Sequence, residues 1–243
     1  MASPVFYFDI DNCLYPVDTG IMYLMKDRID AYARKIGIPA ADTRRLCESY
    51  YRDYGLAVRG LIRHHTIDPV DYDREVDGAL PLETILTPNP ALRAMLTGLC
   101  LRRVAFTNAG RTHAERVLRC LGVADLFETV IYCDYSEPDF TCKPDRPSFE
   151  RAMHAAGVTD PGLCYFVDDS RDNVVAAQAL GWHAVHLCPQ GDSSAGEHQI
   201  RDILELPQVY PRFWSTIPSE VNISTNPTAY RGPGSSGKPN AWQ

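Results

Sequence analysis

Five short apolar runs limit what this chain can fold into. They are Val5–Phe8, Val104–Phe106, Thr129–Tyr132, Cys164–Val167 and Ala184–Leu187. Each is rich in β-branched or aromatic residues and too short for a helix, which reads as a buried strand. Between them lie stretches of helical period that stop at glycine. Thr112-His-Ala-Glu115 has the form of a capping box, with Gly122 closing its helix. Phe149, Met153 and Ala156 share a helix face before Gly157, and Val174, Ala177 and Leu180 share another before Gly181. Strand, helix, glycine, strand repeats from about residue 100 to 190. This alternation predicts an α/β fold with a parallel sheet covered by helices on both faces.

Residues 15–98 interrupt the alternation. No strand pattern occurs there, and Ile21, Leu24, Met25, Ile29, Tyr32 and Ile36 mark an amphipathic helix. Further helices are expected at Asp42–Tyr54 and near 71–78, with Pro88 and Pro90 marking the return to the sheet. The expected division is a discontinuous core, 1–14 and 99–216, around a helical insertion, 15–98. From 217 to 243, Pro, Gly, Ser and Asn replace apolar periodicity, which predicts a disordered tail.

Bulk properties exclude several function classes. The net charge of −7 gives no global field for nucleic acid or an anionic membrane. No apolar run reaches the roughly 18 residues of a membrane helix, and the first residues do not read as a secretory signal. Eight scattered cysteines with no CxxC pair are expected to be reduced thiols of a cytoplasmic or nuclear protein.

The chemistry is expected where strands end. Asp9 and Asp11 follow the first run, and Asp168 and Asp169 follow the fourth. One acid after a strand is readily a solvated loop residue or a helix cap. Two pairs at the carboxyl ends of parallel strands repel one another unless a cation joins them, so a magnesium site is expected. Thr107-Asn108, before a helix, suits a phosphate oxygen as well as it suits an ordinary N-cap. Lys143, before Pro144, reads either as a surface lysine or as an ammonium held inward.

The order DIDN at 9–12, TN at 107–108, KP at 143–144 and DD at 168–169 resembles the haloacid dehalogenase superfamily of phosphatases. The resemblance covers residue 5 to about 190 and implies a doubly wound parallel core with a helical C1-type cap. Three segments, FDIDNCLYP (8–16), LPLETILTPNPALRAML (80–96) and RVAFTNAGRTHAERVLRCLG (103–122), resemble more narrowly the pyrimidine 5′-nucleotidases of fungi and plants. The resemblance implies that Asp9 is the nucleophile that becomes an aspartyl phosphate. Asp11 then protonates the leaving alcohol and afterwards activates water. Mg²⁺ is held by the carboxylates of Asp9 and Asp169 and the main-chain carbonyl of Asp11, with Asp168 in the second shell. Thr107, Asn108 and Lys143 hold phosphoryl oxygens, and Asn173 braces the fourth motif. Where most members carry Thr, this chain has Cys13, which serves if the position is a packing one.

The expected function is hydrolysis of a small phosphomonoester, a pyrimidine nucleoside monophosphate first. The alternatives are a sugar-phosphate or lysophosphatidate phosphatase, or a binding protein that keeps the fold. Three weaker signals are set against ordinary roles. His64-His65 is read as solvent-facing before substrate-facing. Tyr50, Tyr51 and Tyr54 are read as packing before base-stacking. His183 and His186 fall on opposite faces of a strand, so no zinc site is expected there.

Overall fold

The first run, β1 (Val5–Phe8), is buried along its whole length, and its side chains divide by parity. Phe6 and Phe8 join one apolar cluster, and Val5 and Tyr7 join another on the opposite face. A strand buried on both faces must lie inside a sheet that helices cover on both sides. The computed structural model, which describes residues 3–137, 139–191 and 195–215, has that arrangement. Its six strands are β1, β2 (Arg102–Phe106), β3 (Thr129–Ile131), β4 (Cys164–Asp168), β5 (His183–Leu187) and β6 (His198–Ile200). They lie in the order β3-β2-β1-β4-β5-β6, every pair parallel. The chain leaves β1 toward β2 on one side and later returns to β4 on the other. The carboxyl ends of these central strands therefore flank the reversal point where open parallel sheets bind ligands.

Ten helices are described: α1 (Ile21–Lys35), α2 (Ala40–Tyr54), α3 (Ala57–His64), α4 (Pro69–Glu75), α5 (Leu82–Ile85), α6 (Pro90–Gly98), α7 (Arg111–Cys120), α8 (Arg146–Ala155), α9 (Arg171–Ala179) and α10 (Leu206–Val209). Ala114, Val117 and Leu118 of α7 pack on the Phe6 face. Phe149 of α8 and Val174 of α9 pack on the Tyr7 face. The stops follow the glycines: Gly122, Gly157 and Gly181 all have positive φ just beyond a helix end. The capping box expected at Thr112–Glu115 does not form. The helix starts two residues earlier, with Gly110 as its N-cap, and Glu115 pairs with Arg111 at 2.7 Å instead.

The segment between β1 and β2 is helical, and it divides by what it packs against. Tyr32, Tyr50, Val58, Leu61, Tyr72 and Val76 form a third cluster with Cys133, Tyr135, Phe140 and Cys142 of the loop after β3. From Leu80 onward the segment joins the Phe6 face of the sheet, through Leu82, Leu86, Leu92, Met95 and Leu96. Within the third cluster, α2 and α3 meet where Gly60 faces Tyr50. A Cβ at Gly60 would lie 2.2 Å from Tyr50 Cγ. Gly60→Ala is therefore expected to destabilise by about 1–3 kcal/mol through overpacking, against a helix-propensity gain of about 1 kcal/mol. Thermal melts check this, and an unchanged or raised midpoint would count against the close approach. The tail expected from residue 217 lies outside the described residues.

Candidate active site

Three strand ends and one loop lysine build the site. Asp9 continues the β1 ladder, its N–H donating to the Val167 carbonyl at 3.0 Å, so its carboxylate is fixed beside the end of β4. The chain then turns through Asn12, which takes a positive φ of 56° that asparagine tolerates better than most residues. That turn lets Asn12 Nδ2 donate to Asp169 Oδ2 at 3.2 Å. Asp168, the last residue of β4, is wholly buried.

Lys143 joins these elements. Its ammonium is 1% exposed and donates to Asp9 Oδ1 at 2.7 Å, Asp168 Oδ2 at 2.6 Å and the Phe106 carbonyl at 2.7 Å. Three acceptors use all three of its N–H donors. Burial works against the charge, but Asp168 and Asp9 outweigh it and hold the ammonium protonated well above the ordinary lysine range. Of the two sequence-level readings of Lys143, the inward one holds. The Lys143–Pro144 peptide is cis.

The acids outnumber this cation. Burial pushes the Asp9 carboxyl well up, Lys143 pulls it down, and Asp168, Asp169 and Asp11 push it up again. Burial, then Asp168, pushes Asp169 up to about 7. Ligand oxygens of Asp9, Asp168 and Asp169 lie within 4.8 Å of one another, an arrangement able to hold a metal ion. All the donors are hard oxygens, which fits a hard divalent cation. Asp168 has the least capacity left. Its Oδ1 accepts from the Ser170 N–H at 2.8 Å and from Asn173 Nδ2 at 3.0 Å, while Oδ2 accepts from Lys143 and Asn173. Asn173 thus braces Asp168, leaving Asp9 and Asp169 freer to take a ligand.

Thr107 is buried at the end of β2, and its hydroxyl accepts the Ala109 N–H at 3.0 Å. Asn108 ties the end of β2 to Lys143. Its amide donates to the Lys143 carbonyl at 2.8 Å and accepts the Lys143 N–H at 2.7 Å. A side chain bonded at both ends to the Lys143 backbone is an anchor for that lysine. Cys13 is buried in the Phe6-face cluster, and burial beside Asp9 holds its thiol well above the ordinary range. It therefore packs as a neutral thiol and is no nucleophile.

Asp11 stands apart from the lysine network. Its Oδ1 accepts from the Tyr15 hydroxyl at 2.5 Å and lies 2.7 Å from His113 Nε2. Burial would push its carboxyl up, but His113 and then Tyr15 outweigh burial and bring it below the ordinary value. Sequence reading missed both partners. It also missed His186, whose Nε2 lies 3.0 Å from the Asp169 carbonyl, while His183 faces Glu197 at 3.0 Å. The two strand histidines thus serve different partners, as opposite faces require. In the helical segment, Tyr54 meets His64 at 2.6 Å and Tyr50 meets His65 at 3.0 Å. Tyr50 also stacks on His64 with ring centroids 5.2 Å apart. All eight cysteines are free thiols. Among the described residues, no helix is long and apolar enough to cross a membrane.

Comparison with known proteins agrees with this fold. The chain is 36% identical over 233 residues to phosphate metabolism protein 8 of Saccharomyces cerevisiae, covering 86% of this chain and 73% of the yeast protein. The fold matches a HAD phosphatase from Thermococcus onnurineus (TM-score 0.57, 22% identity, 86% of this chain and 97% of that one). It also matches the magnesium-bound putative HAD-hydrolase YfnB of Bacillus subtilis (TM-score 0.58, 13% identity, 86% and 99%). A third match is L-2-haloacid dehalogenase of Xanthobacter autotrophicus (TM-score 0.54, 16% identity, 86% and 98%). The family described as haloacid dehalogenase-like hydrolase matches residues 4–181, a span that contains the candidate site residues from Asp9 to Asn173, and the chain belongs to that hydrolase family.

Proposed function

We propose that this protein is a magnesium-dependent phosphomonoester hydrolase whose substrate is a nucleoside monophosphate, a pyrimidine nucleotide first. The observation that carries the reading is the separation of two roles at the end of β1. Asp9 lies against a buried ammonium, and Asp11, two residues on, lies against hydrogen-bond donors of its own. Lys143 supplies positive charge where a phosphoryl group would sit beside Asp9, and phosphoryl transfer depends on positioning and neutralised charge. Hydrolysis of a carbon–halogen bond has no alkoxide to protonate and so no need for Asp11 as an acid.

The reaction follows in two displacements. An Asp9 oxygen attacks phosphorus, the bond from phosphorus to the ester oxygen breaks, and Asp11, which enters this step protonated although His113 and Tyr15 favour its ionised form, gives that oxygen a proton. Asp11, now ionised, takes a proton from water as the water attacks the aspartyl phosphate, which releases phosphate and regenerates Asp9. Asp9, Asp169 and the Asp11 main-chain carbonyl would hold Mg²⁺, with Asp168 behind them. The ion would neutralise phosphoryl oxygens. Thr107, Asn108 and Lys143 would hold those oxygens, with Asn108 also anchoring Lys143 and Asn173 bracing Asp168. Residues 15–98, as a cap, would set which ester enters. The pyrimidine preference is supported by the resemblance of 8–16, 80–96 and 103–122 to that subgroup.

A phosphate-release panel tests the proposal, with UMP, CMP, AMP, glucose 6-phosphate and lysophosphatidate, each with Mg²⁺ and with chelator. Release is expected to be fastest from UMP or CMP and to stop in chelator. Faster release from the sugar phosphate or the lysolipid would overturn the nucleotide assignment. No release from any ester would overturn the phosphatase reading.

A further inference from the structure

We propose that His113 is a positioning residue that aims the Asp11 carboxylate, fixing which of its oxygens exchanges the proton with the leaving group. The inference rests on the phosphomonoesterase reading above. Asp11 lies on a turn, past the last residue of β1, and the turn alone leaves its carboxylate free to rotate. Two donors meet it, and both take the same oxygen: Tyr15 OH at 2.5 Å and His113 Nε2 at 2.7 Å from Oδ1. An oxygen accepting two hydrogen bonds is a poor place for a third proton, so Oδ2 is left to carry the one that is transferred. Tyr15 is only four residues from Asp11 and moves with the same turn. His113 stands in the first turn of α7, 102 residues away, and is wholly buried. It is the donor that refers Asp11 to the framework carrying Thr107 and Asn108, the residues just before α7.

His113 also lies beside Asp77 and Asp73, whose carboxyls it pulls down against burial, but its hydrogen bonding is only half used. Its Nδ1 is buried with no hydrogen-bond partner among the described residues. Leaving a buried polar atom unpaired costs about 1–3 kcal/mol. The same ring spends its other nitrogen on Asp11. Of the carboxylates near it, Asp11 is the one this ring meets at hydrogen-bond distance, 2.7 Å.

Leaving groups separate this role from a structural one. Nitrophenolate leaves without a proton, whereas the 5′-alkoxide of a nucleoside needs one. The experiment is rapid-quench measurement of Asp9 phosphorylation by p-nitrophenyl phosphate and by UMP, in wild type, His113→Leu and His113→Gln. The Gln amide nitrogen reaches the place of Nε2 and keeps the donor. In His113→Leu, phosphorylation by UMP is expected to slow by about 10²-fold, the low end of general acid catalysis. Phosphorylation by the nitrophenyl ester should stay within a few-fold, and the phosphoenzyme should accumulate because Asp11 also serves the second step. His113→Gln should recover most of the UMP rate. Equal losses with both esters, or no loss with either, would overturn the proposal. If His113→Leu does not fold, His113→Asn, whose amide is too short to reach Oδ1, makes the same comparison. Failure of the underlying reading looks different: wild type would then take phosphate from neither ester.

Discussion

Asp9→Asn is expected to lower phosphate release by roughly 10⁴-fold or more, the scale of losing a covalent nucleophile, while the protein stays folded. The two halves of this expectation have separate causes. Asparagine offers no anionic oxygen to attack phosphorus, so no aspartyl phosphate forms and the first displacement fails. The fold survives because Lys143 keeps Asp168 at 2.6 Å and the Phe106 carbonyl at 2.7 Å, and the asparagine oxygen can still accept the third N–H. The Asp9 carboxyl is buried among Asp168, Asp169 and Asp11, which push it up. Removing its charge therefore relieves repulsion, and in chelator the variant should melt no lower than wild type. Because Asp9 is also a candidate magnesium ligand, added Mg²⁺ should raise the melting temperature of the variant less than that of wild type. Mass spectrometry of enzyme quenched during turnover should find phosphate on the peptide containing Asp9 in wild type alone. Release at the wild-type rate by the asparagine variant would sink the nucleophile assignment. Loss of release together with loss of fold would show that Asp9 holds the core, contrary to the Lys143 geometry.

What could be read in the sequence was what depends on near neighbours. The runs at β1, β2, β3, β4 and β5 are legible because a strand buried on both faces is apolar throughout, and Gly122, Gly157 and Gly181 are legible because a positive φ beyond a helix selects glycine. The strand-end residues follow from those runs, since the residue after a parallel strand must open onto the ligand crevice. β6 was missed because three residues, His-Gln-Ile, carry no alternation to detect. α3 was missed because its eight residues are short and include Gly60, a poor helix former that lets Tyr50 approach. The residues around Asp11 and Lys143 were illegible for a different reason. His113 reaches Asp11 across 102 positions and Asn108 reaches Lys143 across 35, and no local pattern encodes either meeting. Thr112–Glu115 even carried a competing local signal, and tertiary packing set the helix start instead. Local chemistry thus gives the site's outline, and long-range contacts decide which side chain touches substrate and which holds another in place.

Lys143→Met should cost stability as well as activity, and the stability loss is the sharper test of how the site is built. The ammonium compensates two carboxylates inside a region closed to water, with Lys143 and Asp168 each about 1% exposed in their side chains and Asp9 9%. Methionine fills a similar volume and returns none of that charge. Removing one partner of a buried ion pair typically costs about 3–5 kcal/mol, because the charge left behind has neither water nor counterion. At about 2–4 °C per kcal/mol for a chain of this size, the melting temperature in chelator should fall by roughly 6–20 °C. Phosphate release should fall by about 10²–10³-fold where folded protein remains, the range for losing one preorganised donor to a developing charge. Two further measurements tie the loss to charge rather than to packing. Adding Asp168→Asn to Lys143→Met removes one uncompensated carboxylate while its oxygen can still accept from the Ser170 N–H, so the double variant should melt higher than the single one. Mg²⁺ should also rescue the single variant by more degrees than it adds to wild type, since a cation among Asp9, Asp168 and Asp169 supplies the missing charge. A single variant that melts like wild type in chelator, or a double variant that melts lower still, would mean that the three acids do not depend on Lys143, and that its position beside Asp9 is not what allows a carboxylate to be buried there.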